Sequence, residues 1–143
     1  DVDVIVWGAR GYPGAIRFPE MYGWIDVGAN SDIRNVSVKV PLSNPEKDPI
    51  IVGTFTFKKL GDYLKSVERM KERGALINGE YYVDMAINDA IALNLRCVLF
   101  EIDSYICWGT PNDLRVFEYW QSCFSDWEHH PYQKDKDENY FFN

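Results

Sequence analysis

Asn78-Gly79-Glu80-Tyr81-Tyr82-Val83-Asp84 and, further along, Trp108-Gly109-Thr110-Pro111-Asn112-Asp113-Leu114 are the two strings that decide how this chain reads. Each sets polar groups where extended chain gives way to a helix. After the first, Val83, Ile87, Ala90 and Ile91 fall on one helical face, so residues 81–93 read as a helix. In the second, Thr110 can cap, Pro111 suits the first turn and Asp113 takes the third position of a capping box, so a helix runs from there to about Asp126. Helix starts at strand ends are where open α/β sheets bind phosphorylated small molecules.

The rest of the chain supplies the strands. Arg96 to Ile102 reads as one, with a short continuation at Tyr105 to Trp108. Upstream, Leu60, Tyr63, Leu64, Val67 and Met70 recur at helical spacing, and Gly74 is a stop. Ile50 to Phe57 is rich in β-branched and aromatic residues and reads as a strand. Tyr22 to Val27 and Ile33 to Val40 flank Gly28-Ala29-Asn30-Ser31 as a hairpin. Residues 2–7 alternate as a further strand. Gly8 to Glu20 and Pro41 to Pro49 read as loops. Hairpin strands come early, and strands alternate with helices later. That order predicts an α/β fold, with a mixed sheet flanked by helices rather than an all-parallel one.

The 143 residues suit one domain with a real core, here drawn as residues 1–127, followed by a charged tail over 128–143. The net charge of −7 argues against binding a nucleic-acid backbone, which needs clustered Lys and Arg. No apolar run approaches the ~20 residues of a membrane span. Cys97, Cys107 and Cys123 are far apart and form no C-x-x-C pair, so they read as buried free thiols and the expected compartment is the cytoplasm. Aromatics reach 15%, and Trp7, Trp24, Trp120 and Trp127 exceed what a small core hides. An exposed apolar face and a homo-oligomer built on it are therefore expected. The first residues run straight into a strand, which reads as a piece of a longer protein.

Several residues admit two readings. Gly23, in Met21-Tyr22-Gly23-Trp24, is either a strand glycine beside core aromatics or a point where a ligand can approach the backbone. Lys39 follows Val36-Ser37-Val38 and precedes Val40, on the strand face opposite the valines. It is a solvated strand lysine or a point charge for a phosphate. Gly53 has the same duality as Gly23. Glu80 is a helix-cap residue or a carboxylate able to accept two hydroxyl protons. Asp84, one helical turn on, shares its face and either orients its surroundings or meets solvent.

Taken in order, Tyr22-Gly23, Lys39 before Pro41, Val52-Gly53-Thr54-Phe55, Gly79-Glu80-Tyr81-Tyr82-Val83-Asp84 and Gly109-Thr110-Pro111-Asn112-Asp113-Leu114 resemble the second half of the sugar-phosphate nucleotidyltransferases, the nucleotide-sugar pyrophosphorylases. The resemblance implies a partial GT-A-like fold. It implies a sugar 1-phosphate and a nucleoside triphosphate as partners, and a nucleotide-sugar and pyrophosphate as products. It makes Lys39 the catalytic phosphate contact and Glu80 a sugar-hydroxyl contact. It also lays the Tyr22-Gly23 backbone against the sugar ring and passes the Gly53 strand beneath it. Mg²⁺ is the implied cofactor.

The sequence departs from the family in three places. No G-x-G-x-R nucleotide loop occurs in it. Val38 stands where the family's Glu-Lys-Pro string has its glutamate. Cys107 stands where relatives carry a metal-binding aspartate, and a thiol is a poor magnesium ligand. Asp103 is then the nearest upstream carboxylate for the metal. These departures keep two other classes open: a non-catalytic carbohydrate or nucleotide-sugar binding module, and an interaction domain whose aromatic surface docks a partner.

Overall fold

The computed structural model describes residues 1–127, 129–131 and 136. They divide into two compact units, Asp1–Tyr105 and Ile106–Asn143. Most of the tail expected from residue 128 lies outside the described residues, including Tyr140, Phe141 and Phe142.

Strands β1 (Val4–Ala9), β2 (Gly23–Val27), β3 (Ile33–Val38), β4 (Ile50–Phe57) and β7 (Cys97–Glu101) build the sheet of the first unit. Their order is β3-β2-β4-β1-β7. The sheet is mixed, as the element order predicts: β1 and β7 run parallel, whereas β1–β4, β4–β2 and β2–β3 are antiparallel. Helix α2 (Leu60–Glu72) and helix α3 (Val83–Ala92) accompany it. The core joins Val4 and Val6 of β1, Ile25 of β2, Val36 and Val38 of β3 and Leu99 of β7 to Ile87 and Ala90 of α3.

Two polar links fix the helices. Asn88 of α3 donates to the Val36 carbonyl at 2.8 Å and accepts from the Val36 N–H at 2.7 Å. Its amide thus stands in for the strand that edge strand β3 lacks. Asp89 is 2% exposed and is held by a two-pronged bond from Arg73, the residue that caps the end of α2, with Nε donating to Oδ1 and Nη2 to Oδ2, each at 2.8 Å. A buried carboxylate is tolerable only with such a partner.

Several local expectations are corrected. The Gly8–Glu20 loop contains a short helix α1 (Pro13–Arg17), because Pro13 is pre-set for a first helical turn and Ala15 is buried. Strand β3 stops at Val38, so Val40 is exposed and Lys39 lies beyond the ladder. Leu60 and Leu64 also face outward, since α2 buries only Ser66 and Met70. The helix of the first string starts at Val83. Glu80 and Tyr81 instead form strand β6, hairpinned to β5 (Leu76–Ile77). Asn78 and Gly79 have φ of 52° and 80°, the left-handed pair that an Asn-Gly hairpin turn requires. Trp24 is fully buried and its indole N–H donates to the Pro19 carbonyl at 2.8 Å, so it is not part of an exposed face. Trp7 is half-buried, with Phe100 at 4.6 Å.

In the second unit, residues 105–108 form no strand, and α4 (Pro111–Asp126) starts as expected. Thr110 Oγ1 accepts from the Asp113 N–H at 3.2 Å and Asp113 accepts from the Thr110 N–H at 3.0 Å, completing the capping box. Tyr119 and Trp120 of α4 are exposed, as is Trp127 just after it. Among the described residues no helix is long and apolar enough to cross a membrane.

The cysteines are free, but only Cys97 is buried. Burial pushes its thiol up to about 12. Cys107 and Cys123 are half-buried, because each sits in the small second unit.

Candidate functional site

Register brings the site together at one end of the sheet. Gly23 begins β2 opposite Val38, which ends β3. The next residue, Lys39, turns out of the ladder with φ of 59°, and its N–H donates to the Tyr22 carbonyl at 2.9 Å. A lysine in the left-handed region is uncommon, and such positions cluster at ligand-binding sites. The Lys39 side chain is half-buried, and its Nζ lies 5.3 Å from the centroid of the Tyr82 ring. Lys39 is therefore not a strand lysine opposite three valines, as the alternation suggests. It is a turn residue steered by an aromatic face.

Tyr82 and Glu80 come from the first string. The Tyr82 hydroxyl donates to Glu80 Oε2 at 2.7 Å. That bond pushes the Tyr82 phenol pKa up, with a smaller push from burial. Glu80 itself is exposed, and it does not cap α3, whose N-cap is Tyr82 with no side-chain bond.

Asp84, in the first turn of α3, points back at β2. A Cβ added to Gly23 would collide with Asp84 Oδ2 and would stand 3.4 Å from Asp84 Cγ and 3.3 Å from Ile51 Cδ1. Burial raises the Asp84 carboxyl above its usual range, partly offset by its own backbone N–H and by Lys39. Asp84 therefore neither caps nor faces open solvent. The structure gathers Gly23, Lys39, Glu80, Tyr82 and Asp84 on neighbouring backbone, with Tyr22 contributing its carbonyl. The Tyr22 ring goes elsewhere, edge-on to Tyr12 at 5.9 Å.

Beside this group opens a groove of about 550 Å³ lined by Gly53, Thr54, Phe55, Phe57, Leu60, Tyr63 and Val83. Val83 is the link, being covalently between Tyr82 and Asp84. Gly53 has φ of 86° and its missing Cβ would meet only open space. Its glycine is required by the backbone turn and leaves the strand bare on the groove side.

Asp103 lies exposed in the loop after β7, on the opposite edge of the strand order from Lys39. Among the described residues no three His, Cys, Asp or Glu side chains form a metal group. Asp103 can offer one carboxylate, and one or two carboxylates plus substrate phosphates are the usual magnesium arrangement. Cys107 is engaged locally: its sulfur accepts from the Gly109 N–H at 3.3 Å.

Tyr82 was not given a role of its own by the sequence reading. The Asn78-Gly79 hairpin signal was available for Tyr82, because a strand ending at Tyr81 leaves Tyr82 to turn back toward its partner strand. Asp84 was placed by its spacing one turn after Glu80, but nothing local set it against Gly23.

No family model and no curated protein matches the chain. Solved structures do. The nucleoside-diphosphate-sugar pyrophosphorylase from Vibrio cholerae RC9 matches 81% of this chain with a TM-score of 0.64 and 20% identity. The fold is nucleotidyltransferase-like. CMP:2-keto-3-deoxy-manno-octonic acid synthetase, solved with CTP, matches 85% of the chain with a TM-score of 0.53 and 12% identity. At these identities the likeness is one of fold. The chain spans 46% of the first protein and 50% of the second, about half of either.

Proposed function

We propose that this chain is the sugar-phosphate-binding half of a sugar-phosphate nucleotidyltransferase. In the reaction of the whole protein, the phosphate of a sugar 1-phosphate attacks the α-phosphorus of a nucleoside triphosphate. The bond to the β-phosphate oxygen breaks, and nucleotide-sugar and pyrophosphate result. Such chemistry needs positioning and charge neutralisation rather than a protein nucleophile. Lys39 holds the sugar phosphate. Glu80, oriented by Tyr82, accepts from sugar hydroxyls. Gly53, whose missing Cβ would meet only open space, allows close approach of the ring, whereas Gly23 is buried behind the Asp84 carboxylate. Mg²⁺ would neutralise phosphate charge in the whole protein; Asp103, after β7, lies at the opposite edge of the strand order from Lys39 and so does not share an ion with the phosphate held there.

The observation that carries this reading is the meeting of one cation and two carboxylates beside an open groove whose wall includes the bare backbone of Gly53. That set matches a small, polyhydroxylated, phosphorylated ligand. The test is calorimetric titration of the chain with glucose, galactose and mannose 1-phosphates, with the free sugars and inorganic phosphate as controls. The reading expects the sugar phosphates to bind more tightly than either control and the chain alone to release no pyrophosphate. Equal, negligible binding of all of them would overturn it.

A second reading, a non-catalytic sugar-phosphate binding module, is favoured by Val38 and Cys107 standing where the family carries carboxylates. Joining the chain to a partner bearing a G-x-G-x-R loop separates the two, since only the first predicts turnover. Self-association through the exposed aromatics of α4 belongs to the same proposal, and light scattering over a concentration series checks it.

A further inference from the structure

We infer that Tyr82 is a positioning residue that serves both ends of the ligand at once, holding the phosphate contact Lys39 with its ring and the hydroxyl contact Glu80 with its phenol oxygen. The inference rests on the sugar-phosphate reading above. It joins the two ligand contacts through one side chain, a link that neither the family resemblance nor the fold comparison supplies.

The two contacts use different parts of the tyrosine. Lys39 Nζ lies 5.3 Å from the ring centroid, and the hydroxyl donates to Glu80 Oε2 at 2.7 Å. A cation over the ring draws electron density from it and makes the O–H a better donor. Donation to a carboxylate returns density to the ring and strengthens its hold on the cation. Linked polar contacts polarise one another in this way. The Glu80 bond also raises the phenol pKa, so the hydroxyl keeps its proton and stays a donor at neutral pH.

Tyr82 is itself well anchored. It is half-buried against the core of the first unit, and its backbone is the N-cap of α3. Lys39 and Glu80 are the opposite: a lysine in a turn past the end of β3 and an exposed glutamate on a two-residue strand. Long charged side chains lose much rotamer freedom when they meet a ligand. A fixed neighbour that orders them beforehand lowers that cost at the moment of binding. Loss of the Tyr82 hydroxyl is then felt through Glu80, and loss of the whole ring through Glu80 and Lys39 together.

The experiment titrates the full chain, by calorimetry, with the tightest-binding of glucose, galactose and mannose 1-phosphates, and melts each variant alongside. Tyr82→Phe keeps the ring and removes the hydroxyl. It should weaken binding by roughly threefold or more. In a Glu80→Ala background the same change should have no further effect, because a residue acting through Glu80 then has nothing to act on. Tyr82→Leu removes the ring as well and should bind more weakly than Tyr82→Phe. That excess should vanish in a Lys39→Ala background. Tyr82→Met, which keeps apolar volume against the core, takes its place if the leucine variant fails to fold. A folded Tyr82→Phe protein that binds like wild type overturns the inference and leaves the sugar-phosphate reading standing. So does a loss that persists undiminished in the Glu80→Ala background, the mark of a tyrosine with a merely structural role, and so does a Tyr82→Leu protein that binds as well as Tyr82→Phe. A wild type that binds no sugar phosphate overturns both.

Discussion

Gly23 and Asp84 share one space: the Asp84 carboxylate stands where a Gly23 Cβ would be, although the two are far apart in the chain. Gly23 has no left-handed φ, so alanine suits its backbone and the conflict is with the side chain alone. Gly23→Ala should therefore destabilise by about 1–3 kcal/mol through overpacking. In an Asp84→Ala background the same change should be nearly neutral, a coupling of roughly 0.5–3 kcal/mol. Chemical denaturation of the four proteins gives the cycle, and additive effects would show that the two residues do not compete for space.

Lys39→Ala should separate binding from folding. Lys39 lies past the end of β3 and is half-buried, so its loss leaves no core cavity. Stability should change by no more than ~0.5 kcal/mol, as for surface positions away from special features. A charge-assisted bond to phosphate contributes roughly 1.5–3 kcal/mol, so sugar-phosphate affinity should fall about tenfold or more. An unchanged dissociation constant in a normally melting variant would make Lys39 only a turn lysine.

Asp84 should leave a signature in the pH dependence of stability. Its carboxyl is raised from the ordinary 3.8 by burial, so the folded state binds a proton that the unfolded state has released. The stability this contributes is fully present below the unfolded value and is lost as pH rises through the raised folded value. Asp84→Asn carries no charge at any pH. Relative to wild type it should melt progressively higher as pH is taken from about 4 to 7. Thermal melts of both proteins at the two pH values make the comparison, and a constant difference would contradict the assignment.

Arg73→Ala tests the clamp between α2 and α3. It strands Asp89, which is 2% exposed, with Arg69 at 3.5 Å as the one remaining cation among the described residues. Breaking a buried pair on one side costs about 3–5 kcal/mol. The second substitution, Asp89→Asn, should restore part of that loss. A folded Arg73→Ala protein with wild-type denaturation midpoint would mean that Arg69 alone suffices.

What short-range pattern can encode was legible in the chain. β4 covers Ile50–Phe57 as its β-branched composition predicts, and the Thr110–Asp113 capping box starts α4 where expected. Both depend on residues within one turn or one pleat of each other. The mixed sheet followed from element order, since hairpins force antiparallel pairing and an intervening helix permits parallel pairing.

The candidate site was legible only as a set of names. Alternation put Lys39 in a strand, because alternation does not say where pairing ends. That was decided by Gly23 opposite Val38 and by the Lys39 N–H on Tyr22, contacts with a different strand. Glu80 read as a helix-cap residue because the helical spacing downstream reads as beginning at residue 81, directly after the Asn78-Gly79 turn. Asp84 was ambiguous until packing set its oxygen against a residue from β2. A side chain's burial and partners depend on which distant backbone folds over it. Tertiary structure therefore decided which carboxylate faces water and which fills the space beside Gly23.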